Sequence, residues 1–214
     1  MGKNFMGKIK NHITVLLMCV AFAACESGGS GAYHYETDPQ YTWGQVLFYG
    51  NYYALENNNL NNVLSVSLMT QGLVNNSGTL KGTGQYLQLE DVFVSPTDTI
   101  LPEGTYTFSD SGEPHTITPG KNYTNGNMKY PIGSRLYYYE KNTDYSKTVF
   151  IKSGTITVVL NGEIFTISAD LLTSEGTRVT GNFTGKLPHY DESLHKVKQH
   201  ARFNFPADIL LYEN

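Results

Sequence analysis

From Trp43 onward, apolar positions alternate with polar ones in short runs broken by Gly, Asn, Asp and Pro. This is the pattern of strands with one buried and one wet face. Leu64, Val66 and Leu68 share a face, with Ser65 and Ser67 opposite. The alternation predicts strands near residues 45–53, 63–70, 85–94, 104–109, 134–140 and 148–151. The Asn- and Gly-rich stretches 56–62 and 75–84 read as exposed connections.

The sharpest signal covers residues 155–187. Asn161-Gly162 supplies the two positive-φ residues of a type I′ hairpin, which pairs Val158 with Phe165 and Ile156 with Ile167 on the buried face, and Thr157 with Thr166 and Thr155 with Ser168 on the wet one. Ser174-Glu175-Gly176 turns the chain again and places Phe183 beside Ile167, Gly181 beside Ala169 and Gly185 beside Phe165, so Phe165, Ile167, Val179 and Phe183 are expected in the core. Pro188 ends this meander. Beyond it, Val197, Ala201, Phe203 and Phe205 suit a strand, while Leu194, Val197 and Ala201 also suit a helix; we favour the strand. Successive hairpins define an all-β domain. An antiparallel β-sandwich is the fold taken, with a closed or flattened lipocalin-like β-barrel as the alternative, because a period of two serves both.

The N-terminus departs from this pattern. Lys3, Lys8 and Lys10 precede an apolar run of twelve residues, Ile13 to Ala24, which suits a signal-peptide core and is shorter than the roughly 20 residues of a membrane-spanning helix. The run ends in Phe22-Ala23-Ala24-Cys25, which resembles a bacterial lipobox, where small residues precede a cysteine that is acylated and becomes the new N-terminus. Phe22 stands where Leu is usual, and Ala21-Phe22-Ala23 would also suit an ordinary signal peptidase. The resemblance implies lipidation at Cys25, removal of residues 1–24 and an outer-membrane lipoprotein, surface-exposed or facing the periplasm; a secreted soluble form is the competing reading. Residues 25–40, with Ser27-Gly28-Gly29-Ser30-Gly31, then form a flexible tether, and residues 41–214 the β domain.

Composition changes the functional picture chiefly by exclusion. The 214 residues carry 15 basic and 19 acidic side chains. Cleavage removes three lysines and leaves 12 against 19, a net charge of −7, which speaks against a nucleic-acid partner. The only cysteine outside Cys25 is Cys19, inside the leader, so the mature domain has no intramolecular disulfide, thiolate nucleophile or Cys-ligated zinc site. No Gly-x-Ser-x-Gly elbow, phosphate-cradling loop or His-Glu-x-x-His motif occurs, and no cofactor or metal is expected. A glycosidase needs only two carboxylates brought together by the fold, and Glu140, Asp144, Glu163, Asp170 and Glu175 are available. His189, His195 and His200 are read as solvated rather than metal-binding.

Two surfaces remain as candidate binding sites. Tyr137, Tyr138 and Tyr139 alternate in direction, so one ring is expected to stand free to stack on a sugar. Lys196, Lys198 and Arg202 line one side of the terminal strand and suit an anionic glycan or an edge guarded against aggregation. Trp43 resembles the first-strand tryptophan of lipocalin-like barrels, although Tyr41 stands where those carry Gly. Asp98-Thr99-Ile100 resembles a short O-glycosylation acceptor of exported proteins in gut anaerobes. Phrases such as Leu101-Pro-Glu-Gly-Thr-Tyr-Thr-Phe108 and Gly181-Asn-Phe-Thr-Gly185 resemble the Tyr-, Gly- and Asn-rich surface lipoproteins of Gram-negative gut anaerobes. That likeness implies an envelope location and a non-catalytic module contacting glycan or a host surface; a structural subunit of a surface assembly and a glycan-active hydrolase are the alternatives.

Overall fold

A computed structural model describes residues 35–141 and 145–194. Its strands are β1 (Gln40–Gly50), β2 (Asn62–Thr70), β3 (Leu73–Asn76), β4 (Thr79–Val94), β5 (Gly104–Phe108), β6 (Thr116–Ile117), β7 (Lys121–Asn125), β8 (Met128–Ile132), β9 (Arg135–Glu140), β10 (Tyr145–Asn161), β11 (Ile164–Thr173), β12 (Arg178–Gly185) and β13 (His189–Asp191). One short helical turn, α1 (Ala54–Asn57), follows β1. Of the two closures open to the sequence, the strands adopt the barrel. The order β11-β12-β1-β2-β4-β6-β5-β10 returns to β11 and makes an eight-stranded closed wall. β9 bridges β4 and β10 beyond the reach of β5 and β6, and β13 continues the track of β12 along β1. β7 and β8 form a separate hairpin.

The alternating pattern explains the interior. Val46, Val66 and Leu89 meet across three strands, as do Leu68, Leu87 and Leu136, and with Tyr106, Ile117, Ile156, Ile167 and Phe183 they fill the bore. Residues 35–39, from the stretch read as tether, close one end. Glu36 exchanges two hydrogen bonds with the side chain of Gln85, at 2.9 and 3.2 Å, and Tyr35 packs on the core. At the other end, His189 Nδ1 donates to the Leu187 carbonyl at 2.8 Å, and Nε2 accepts from the Leu101 amide at 3.1 Å. The ring is therefore neutral, with its proton on Nδ1, and burial holds its pKa below the usual histidine value.

The β11–β12 register is the one read from sequence: Phe165 faces Gly185, Ile167 faces Phe183, and Ala169 faces Gly181. Gly181 also clears space for another strand, since a Cβ there would stand 2.7 Å from the Tyr41 ring. The preceding hairpin differs from expectation. Val158 pairs with Ile167 and Leu160 with Phe165, because the turn is centred on Gly162-Glu163 rather than Asn161-Gly162. Only Gly162 of these has positive φ, at 62°, as a type II′ turn requires. A two-residue slip preserves the faces, so Phe165, Ile167, Val179 and Phe183 are all buried. The stretch 75–84, read as a loop, instead holds the end of β3 and the start of β4, joined by Ser77 and Gly78, both at positive φ.

Candidate functional site

The β3–β4 hairpin folds over the outer side of β1 and builds a groove. The Trp43 indole N–H donates to the Leu73 carbonyl at 2.8 Å, fixing the ring against the hairpin. Leu73 packs with Met69, Leu80, Tyr86 and Tyr137 beneath it. The groove of about 310 Å³ is lined by Trp43, Gln45, Gln71, Val74, Asn75 and Tyr190, together with Gly44 and Leu73. Among the described residues its lining combines two aromatic rings with three carboxamides and contains no charged side chain. That chemistry suits an uncharged, hydroxyl-rich ligand, because rings take the apolar face of a sugar while amides both donate to and accept from hydroxyls.

A second polar constellation lies farther along the outer face. Between the pairs Leu64–Val92 and Val66–Leu89, β4 has one residue more than β2, so Glu90 and Asp91 stand opposite Ser65. Asp91 takes a φ of 51° at this bulge, a conformation that Asp and Asn tolerate better than most residues. The Tyr53 hydroxyl donates to Asp91 Oδ2 at 2.8 Å, and the Tyr53 ring lies 5.9 Å from that of Phe93. Burial, aided by the neighbouring Glu90 charge, pushes the Asp91 carboxyl up to about 6 despite hydrogen bonds from Tyr53 and Thr118. Burial and Asp91 likewise raise the Tyr53 phenol. Glu90 pairs with Arg135 at 2.9 Å; burial opposes the guanidinium charge, but Glu90 outweighs it and holds Arg135 above its ordinary value.

Other residues singled out by sequence are dispersed. Tyr137 is buried against Tyr86, ring centroids 5.0 Å apart. It therefore offers no platform for a sugar, because the β3–β4 hairpin covers its face of the strand. Tyr138 and Tyr139 are half-buried, Tyr139 against the same cluster. Cys25, Asp144, Lys196, Lys198, Arg202, His195 and His200 lie outside the described residues. Among the proposed acid residues, Glu163 pairs with Lys186, Asp170 bidentately with Arg178, and Glu175 with Lys147. These pairs engage separate partners across the surface.

Sequence reading missed the groove because its lining comes from three separate stretches of the chain, at Trp43, Gln71 to Asn75 and Tyr190. The bulge left a clearer trace: the apolar period runs Leu87, Leu89, then Val92, Val94, and the extra residue falls at Glu90-Asp91. In comparisons with known proteins, the chain matches no family model, no curated protein and no solved structure.

Proposed function

We propose that this protein is a cell-envelope lipoprotein, acylated at Cys25 and held in the outer membrane, whose barrel is a non-catalytic binding module for neutral glycan. The observation that carries the binding half is the groove whose described lining is Trp43, Tyr190 and three carboxamides without a charged side chain. The lipobox-like Phe22-Ala23-Ala24-Cys25 carries the anchoring half. Neutral oligosaccharides titrated calorimetrically into the mature chain with Cys25→Ser are expected to bind. Gln71→Ala, at an exposed position, is expected to weaken binding about fivefold, the loss of one hydrogen bond. Absence of binding across neutral glycans, or equal affinity for both proteins, overturns this reading. Labelled palmitate is expected in the wild type and absent from Cys25→Ala; equal labelling removes the anchor.

One observation favours a second reading, a glycan-active hydrolase: Asp91, a partly buried carboxyl beside Glu90 in the β4 bulge, is raised by burial to about 6, the range in which a glycosidase's general acid works. Oligosaccharides recovered intact after prolonged incubation at pH 6 would remove it.

A further inference from the structure

Two side chains in the groove beside the β3–β4 hairpin have no role in holding the fold. Gln71 is exposed in the turn between β2 and β3, and its carboxamide has no hydrogen-bond partner among the described residues. Asn75, by contrast, accepts from the Gly78 amide through Oδ1 at 3.0 Å. Val74 is 53% exposed, whereas its neighbour Leu73 is buried on the other face of the strand. A single exposed valine is ordinary on a surface. Within a groove that also holds Trp43 and Tyr190, it adds an apolar contact beside polar ones. The Trp43 indole N–H is engaged by the Leu73 carbonyl, so this residue meets a ligand with its carbon surface.

We propose that the groove selects sugars bearing an acetamido group, the N-acetylhexosamine class. The assignment rests on the neutral-glycan reading above and narrows it. An acetamido group is a planar amide with one N–H donor, one carbonyl acceptor and a methyl. The Gln71 carboxamide is its complement: the side-chain oxygen accepts from the acetamido N–H while the side-chain NH₂ donates to the acetamido carbonyl. A hydroxyl in the same place carries donor and acceptor on one atom and does not span both arms of the amide. The acetamido methyl meets the exposed Val74 and leaves water there, and the aromatic rings take the C–H face of the sugar.

Charge and size sharpen the choice. The described lining offers no carboxylate to an ammonium and no cation to a uronate, so a free amino sugar or an acidic sugar would lose hydration without compensation. Acetylation of the amine removes that charge and supplies the methyl and the carbonyl that the groove can use. Its volume of about 310 Å³ lies at the lower end of small-molecule sites, about 300–1,000 Å³, which suits a short stretch of one glycan chain.

Trp43 is the only tryptophan of the chain, so its fluorescence reports occupancy of this groove. The mature chain with Cys25→Ser is titrated with trimers of N-acetylglucosamine, glucose and glucosamine that share one linkage. The N-acetylglucosamine trimer is expected to shift the Trp43 emission and to bind at least about tenfold more tightly than the glucose trimer. One buried methyl accounts for roughly fourfold and a second hydrogen bond for roughly fivefold. The glucosamine trimer is expected to bind most weakly at neutral pH. Gln71→Ala and Val74→Ala, both at exposed positions, should each reduce the preference for the acetylated trimer several-fold. Equal affinity for the N-acetylglucosamine and glucose trimers overturns the inference and leaves the neutral-glycan reading standing. A preference that neither variant reduces overturns its assignment to Gln71 and Val74. If neither trimer binds, N-acetylgalactosamine against galactose decides by the same criterion. Silence with all four overturns the inference, and the neutral-glycan reading falls with it only if the wider set of neutral glycans is silent too.

Discussion

Asp91 combines a positive φ, a partly buried carboxyl and an adjacent Glu90, and each disfavours its charged form or its place in a strand. Its pKa of about 6, against 3.8 when unperturbed, means that the folded state binds the proton more tightly. Asp91 therefore contributes its full stability below pH 3.8 and loses it as pH rises towards 6, at most about 3 kcal/mol. Asp91→Asn keeps a side chain that tolerates left-handed backbone and accepts from Tyr53. It is expected to raise the urea midpoint at pH 8, leave it nearly unchanged at pH 4, and flatten the profile between. His189 acts with the opposite sign. Its depressed pKa makes the neutral ring the stabilising form, so its contribution is full above about pH 6.5 and falls as pH drops. His189→Phe should lose roughly 1 to 3 kcal/mol at pH 8, since the Leu101 amide loses its acceptor, and should remove the acid-side decline. Because the two slopes overlap, the single variants separate them where the wild-type profile does not.

At the scale of elements, the β11–β12 pair makes the most direct demand. Phe183 is 1% exposed, so Phe183→Ala should lose roughly 3 to 5 kcal/mol, whereas exposed Thr184→Ala should move the urea midpoint little. The same pair was the most legible part of the sequence, because one tight turn and strict alternation fix its register. The β10–β11 hairpin was legible in its faces and missed in its turn, since Asn161-Gly162 offers a good I′ pair while the chain uses Gly162 alone at positive φ. β10 reads as separate pieces because Ser153-Gly154 interrupts the pattern. The chain continues through them as one bent strand, with a register shift between Ile151 and Ser153 and Gly154 at φ 133°. β3 escaped notice because only Leu73 and Leu80 anchor its hairpin to the core below. Trp43→Phe keeps most of the ring area but removes the donor to Leu73. It should loosen this hairpin by roughly 1 kcal/mol, seen as faster proteolysis between Gln71 and Lys81 with little change in global stability.

At the scale of the whole molecule, the alternation specified strands and an apolar interior but not how the wall closes. Closure depends on β1 meeting β12 and on β10 meeting both β5 and β9, contacts between residues far apart in the chain. The segment from β5 to β9 fills the gap between β4 and β10 unequally. β9 alone spans it at the Gln85 end, whereas β5 and β6 lie side by side at the His189 end. Seven strands therefore circle the bore at the Gln85 end and eight at the His189 end. One extra strand adds about 4.8 Å to its circumference, and Tyr106, wholly buried with its hydroxyl bonded to the Pro102 carbonyl at 2.9 Å, stands in the wider part. Hydrogen-bonded strands surround that point and resist collapse, so removing the ring should leave a lasting dry chamber. Tyr106→Ala is accordingly expected to take up benzene or xenon, as apolar cavities do, with a thermal midpoint that climbs on adding either guest while that of the wild type stays still.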